Sequence, residues 1–193
     1  MDPRRQPAPG LCLAMTPRTQ DPSPDMETRL LWQCSGPTAS LQPPPAGVDW
    51  ARLLQQAHDH GVLPLVAANL LGRHRASLPP AAVADLEQRQ AAGAARSEFL
   101  AREMLRILIA LQEGGIQALP FKGPALAVQA HGNLALRQYD DLDFLVHRRD
   151  IERAIAALAK RHYIPVLSLS AEERRELIRL GWGCSLQAPD SAY

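Results

Sequence analysis

The chain has 193 residues, enough for one core and at most two small domains. A net charge of +1 implies no general electrostatic grip on nucleic acid, and no apolar run approaches the roughly 18 to 20 residues of a membrane span. The cysteines Cys12, Cys34 and Cys184 lie far apart, fit neither a zinc spacing nor a disulfide framework, and read as incidental thiols of a cytoplasmic protein.

Residues 1–47 hold 10 of the 17 prolines. Residues 1–25 carry little apolar content beyond LCLAM, too short for a signal-peptide core, so the Pro-rich segment is expected to be disordered. Met26 offers an alternative start, with METRLLWQC as a short helix. Asp49 is placed to cap WARLLQQAHDHG, which Gly61 ends, and a second helix follows over 63–71. His58, His60 and His74 read as helix-face or helix-end residues, with no acidic or cysteine partner at ligand spacing. Pro79-Pro80 opens a long helix over 81–113, whose later half sets Phe99, Leu100, Met104, Leu105, Leu108 and Leu111 at helical spacing. Gly114-Gly115 stops it.

IQALPF then reads as a short edge strand, because Pro120 lacks a ladder donor. At the turn Lys122-Gly123-Pro124, Pro124 suits the first helical position, and ALAVQAH runs to Gly132. A lysine beside a helix N-terminus is an anion site in principle and, equally, an ordinary strand-to-helix turn. Of the 21 basic residues only Lys122 and Lys160 are lysines, a bias that points to a GC-rich bacterial genome and makes Lys122 stand out.

After a loop comes RQYDDLDFLV, residues 137–146. On a strand, Leu142, Phe144 and Val146 share one face and Asp141 and Asp143 the other, their Cα atoms about 6.5 to 7 Å apart at a rise of about 3.3 Å per residue. That spacing lets two carboxylates hold one Mg²⁺ or bridge two. Asp140 points away and is expected to cap or solvate the loop. Asp150 is placed to cap IERAIAALAKRH, YIPVLSL is extended, and Ser170 with Glu173 forms a capping box for AEERRELIRL. CSLQ reads as a strand and APDS as a turn. The expected class is α+β: helices over 48–113 packed on a small mixed sheet over 114–193, with a further C-terminal strand missing.

Lys122-Gly123-Pro124-Ala125-Leu126, a short helix, Arg137, then Asp141-Leu142-Asp143 and Leu145-Val146 form a constellation. With the helical segments ahead of it, the stretch from about 48 to 190 resembles the polymerase-β-like nucleotidyltransferase superfamily, and most closely its uncharacterised bacterial branch. The resemblance implies that Gly123 and the following helix N-terminus hold the triphosphate of an NTP. Asp141 and Asp143 would bind Mg²⁺ in a two-metal arrangement, and a nucleoside monophosphate would pass to an unknown acceptor. Lys122 or Arg137 would neutralise phosphate charge; for Arg137 an ion pair with Asp140 or Asp141 is the other reading. The wider superfamily has Gly-Ser where this chain has Lys-Gly. A third carboxylate expected of such enzymes has no match here, Asp190 being the last acidic residue. Two alternatives therefore stand beside the enzyme: an inactive nucleotide-binding or interaction protein, as a truncated family member, and a glycosyltransferase using the same Asp-x-Asp metal logic.

Overall fold

The computed structural model describes residues 24–36 and 42–188. The segment before residue 24, with Cys12, and the final turn, with Asp190, lie outside the described residues. Three helices open the fold: α1 (Met26–Ser35), α2 (Trp50–Asp59) and α3 (Leu63–His74). Asp25 caps α1 by accepting from the Thr28 amide at 2.9 Å, and Asp49 caps α2 by accepting from the Arg52 amide at 3.1 Å. Leu30, Leu53, Leu54, Val66 and Leu70 from these helices form a closed apolar cluster with Leu86. Each fully buried leucine contributes about 1.5 to 3 kcal/mol of transfer free energy. Two buried polar residues among them are satisfied: Glu27 accepts from the Asp49 amide at 3.0 Å, and Asn69 donates to the Cys34 carbonyl at 2.7 Å.

Leu86 belongs to α4 (Pro80–Glu113), a 34-residue helix of roughly 50 Å at about 1.5 Å per residue. It also supplies Leu100 to a second cluster, with Ala127 and Tyr139, and Ile107, Ala110 and Leu111 to a third. Leu100, Ile107 and Leu111 recur seven and four residues apart, which defines the buried stripe. Leu105, placed on that stripe by the sequence spacing, is 55% exposed, and Ile107 takes the inward position.

After Gly114 the chain forms β1 (Ala118–Phe121), α5 (Gly123–His131), β2 (Asp143–Val146), α6 (Ile151–Ala159), β3 (Ile164–Pro165), α7 (Ala171–Arg179) and β4 (Leu186–Gln187). β1 pairs antiparallel with β2, setting Ala118 opposite Val146 and Phe121 opposite Asp143; β3 pairs antiparallel with β4. The class is α+β as expected, with two antiparallel pairs among the described residues where one mixed sheet was expected. Pro120 is tolerated because β1 is an edge strand. Leu142, Phe144 and Val146 pack with Ala118 against Ile107, Leu111, Leu158 and Tyr163, while Leu119, Phe121 and Leu145 point outward into solvent.

The capping box at Ser170 and Glu173 is formed, with both reciprocal bonds present. Asp150 departs from expectation. It sits at the N-cap position of α6 but makes no side-chain cap; its carboxylate accepts from Arg153 at 2.7 Å and lies 3.8 Å from Arg149. Two guanidiniums outcompete a neutral amide for a buried carboxylate, since charge-assisted bonds are roughly twice as strong. Among the described residues no helix is long and apolar enough to cross a membrane.

Candidate functional site

The register of β1 against β2 assembles the site. Phe121 lies opposite Asp143, so the next residue, Lys122, leaves the strand beside that carboxylate. Lys122 Nζ is 3.3 Å from Asp143 Oδ2, and 5.2 Å from the centre of the Phe121 ring. Both charged side chains are about half exposed, at 52% and 38%. An ion pair so wetted contributes roughly 0.2 to 1 kcal/mol.

The backbone beneath it is strained. Lys122 has φ 61 and ψ −143, and Gly123 has φ 45. Two successive positive φ values turn the chain sharply from β1 into α5. For glycine this costs little. A non-glycine residue held in a sparsely populated region costs about 1 to 3 kcal/mol, more than the Lys122–Asp143 pair returns. α5 begins with Pro124 in its first turn and has no side-chain cap. Its first amides, those of Gly123 and Ala125, have no acceptor within the helix.

Asp141 is exposed and lies just before β2, outside the strand, and its main-chain oxygen lies 3.5 Å from where a Cβ on Gly123 would stand. The turn and the Asp-x-Asp segment are thus in direct van der Waals reach. Asp140 is solvated, as expected of the loop, and its exposed carboxylate also pairs with Arg96 Nε of α4, Oδ1 at 2.9 Å. Arg137 makes no ion pair with Asp140 or Asp141. Its guanidinium lies 5.7 Å from the Tyr139 ring centre, and its Nη1 is buried without a hydrogen-bond partner. Tyr139 is itself buried and donates to the Ser97 carbonyl at 3.3 Å; burial raises its hydroxyl pKa against the lowering effect of that bond and of Arg137.

Asp140, Asp141 and Asp143 line a cleft of about 720 Å³, together with Glu103 of α4, apolar residues of α4, β2 and α6, and the segment from Trp182 to Ser185. Its volume suits an organic ligand of moderate size. Lys122, Gly123 and Arg137 are not among its walls. Asp143 alone belongs to both places: it lines the cleft and touches the Lys122 ammonium.

Two carboxylates are hard oxygen donors of the kind Mg²⁺ prefers. Among the described residues no group of three His, Cys, Asp or Glu side chains could hold a metal ion. Asp141 and Asp143 could supply two such donors, and Mg²⁺ commonly keeps several waters beside one or two protein carboxylates, so the chemistry of the pair fits that ion.

Tyr139 and Arg96 were not singled out from the sequence. The one available signal for Tyr139 is that no other Phe, Tyr or Trp stands between Phe121 and Phe144. Arg96 is 44 residues from its partner and carries none.

A family model described as an uncharacterised nucleotidyltransferase matches residues 46–179. The chain belongs to that family. The span shared with this nucleotidyltransferase family covers Lys122, Gly123, Arg137, Asp141 and Asp143, the helices α2 to α4, and both strands of the β1–β2 pair. No curated protein and no solved structure matches the chain.

Proposed function

We propose that the protein transfers a nucleoside monophosphate from a Mg²⁺–NTP complex to an acceptor, releasing pyrophosphate. The observation that carries this is the position of Asp143, shared between a strained Lys-Gly turn at a helix N-terminus and a cleft large enough for a nucleoside. The first amides of α5 favour phosphate oxygens, through free N–H groups and the helix dipole. Gly123 lets those oxygens approach the backbone closely. Lys122 supplies a mobile point charge for the phosphates. Arg137 is assigned to the same charge from its place four residues ahead of Asp141 in the matched span. Asp141 and Asp143 hold the metal that accompanies the nucleotide. When bound, Mg²⁺ neutralises phosphate charge and stabilises the attacking and leaving oxygens of an in-line displacement. The near-neutral chain offers no grip for long nucleic acid, so a small molecule, a protein side chain or an RNA end is the acceptor class to test.

The test is thermal stability with Mg²⁺ and each of the four NTPs and several sugar nucleotides, on the wild type and the Asp141→Asn/Asp143→Asn double variant. A ligand at 100 times its Kd stabilises the native state by about 2.7 kcal/mol, or roughly 5 to 11 °C for a chain of this size. A Mg²⁺-dependent rise with one NTP, lost in the variant, supports the reading; a larger rise with a sugar nucleotide favours glycosyl transfer; no rise with any of them defeats it. Pyrophosphate release in the presence of acceptor candidates then separates an enzyme from a nucleotide-binding protein.

A further inference from the structure

We infer that Lys122 is a built-in counter-ion that occupies the metal's place on Asp143 and yields it only to a metal carried by phosphate. The inference rests on the metal-nucleotide reading of this site. The Lys122 ammonium stands 3.3 Å from Asp143 Oδ2, so a metal taking that oxygen would compete with it. A divalent cation and an ammonium repel each other strongly at that separation, so one must leave. The lysine is equipped to leave. Its side chain is half exposed on a flexible stem, and among the described residues its other neighbour is the ring of Phe121, the adjacent residue.

A metal arriving alone displaces the ammonium into water and gains one carboxylate at the expense of an existing ion pair. A metal arriving with polyphosphate brings the anion that the ammonium can follow. Asp143 passes from lysine to metal, and Lys122 passes from Asp143 to phosphate, so that these two charges stay paired before and after. The strained backbone at Lys122, φ 61, fixes the root of the side chain beside Asp143 at the opening of α5, so both partners lie within its sweep. The result is positive coupling between metal and polyphosphate, and by linkage each raises the affinity of the other. An arginine in this position would hold the carboxylate through a planar fork, which fits the retention of lysine in a chain whose cations are otherwise almost all arginine.

The experiment measures Mn²⁺ binding by the full chain with no nucleotide, from loss of the free Mn²⁺ electron-resonance signal. Binding of a preformed Mn²⁺–tripolyphosphate complex is measured alongside, by water-proton relaxation. Wild type, Lys122→Gln and Asp143→Asn are compared; Gln is likewise unbranched at Cβ and polar, one bond shorter and uncharged, and a cooperative melt verifies folding. Lys122→Gln is expected to bind free Mn²⁺ about tenfold more tightly than wild type and the complex several-fold more weakly, within the usual range of coupling between sites. That opposite movement is the signature, since loss of a simple phosphate contact would leave free Mn²⁺ binding unchanged. Unchanged or weaker binding of free Mn²⁺ by Lys122→Gln, with Asp143→Asn weaker still, overturns the inference and leaves the metal site standing. Absence of Mn²⁺ binding in every variant, free or complexed, overturns the site reading and the inference with it.

Discussion

A side chain grown from Gly123 would begin 3.5 Å from the main-chain oxygen of Asp141 and 3.8 Å from Leu142 Cδ2. Both are ordinary van der Waals distances, so space is not what reserves this position for glycine. The backbone is: at φ 45 an L-residue costs about 1 to 2 kcal/mol. Gly123→Ala should lower the melting temperature by roughly 2 to 8 °C, and Gly123→Val, with its stiff branched side chain, by more. In the proposed phosphate site the same methyl would stand beside the first amides of α5. The nucleotide-dependent rise in melting temperature should therefore shrink by more than stability alone accounts for. Melting curves with and without Mg²⁺–NTP check both parts; an alanine variant as stable and as responsive as wild type would sink the idea.

Support for the site comes from beneath it. Leu100 is almost wholly buried against Ala127 of α5 and Tyr139, which are the elements flanking the turn and the Asp-x-Asp segment. Leu100→Ala should cost about 2 to 5 kcal/mol, the range for a buried leucine that leaves a cavity. Leu105→Ala, one and a half turns further along α4 and facing solvent, should stay within about 0.5 kcal/mol. Denaturant titration of the two variants therefore decides which stripe of α4 faces inward.

What the sequence made legible was local. Asp25 was not proposed as a cap, but Asp49 and the Ser170–Glu173 box were, and both are formed, because a cap is decided within four residues. Leu142, Phe144 and Val146 face the core as alternation requires. The pairing of Lys122 with Asp143 was not read from the sequence, since it depends on the register that sets Phe121 opposite Asp143 across an intervening helix. Strand period does not carry that register. The pairing of Asp140 with Arg96 and the hydrogen bond from Tyr139 to Ser97 span more than forty residues and leave no pattern to read. Asp150 was misjudged for a different reason. The local rule names a cap, and the competing Arg149 and Arg153 stand just as close in sequence.

Cys34 is fully buried in the first helical cluster, and burial pushes its thiol up to about 11. At neutral pH almost none of it is thiolate, the reactive form. Iodoacetamide applied to the native protein should leave Cys34 unmodified, and denaturant should expose it in step with global unfolding. Cys184, only partly buried, should label sooner even though burial raises its thiol as well. Peptide mapping after timed labelling reads the order, and early modification of Cys34 would mean that the α1–α3 cluster opens locally.

Acid should loosen α7 first through its cap. Glu173 accepts from the Ser170 amide and the Ser170 hydroxyl, each at 2.8 Å, and these bonds hold its carboxyl below the usual carboxylate range. A carboxyl whose folded value is depressed binds fewer protons in the native chain than in the unfolded one. Its stabilising effect is thus complete above the unfolded value and is lost as pH falls through the folded one. Glu173→Gln keeps a residue type that completes a capping box but removes the titration. The melting-temperature advantage of wild type over Glu173→Gln should be constant at about pH 7 and shrink toward about pH 3, below the ordinary carboxylate value. Asp25, depressed chiefly by its bonds from Thr28, adds a fall of the same sign to both proteins and cancels in the difference. A difference that does not change across this range would mean that the Glu173 carboxylate is not bound to Ser170 in solution.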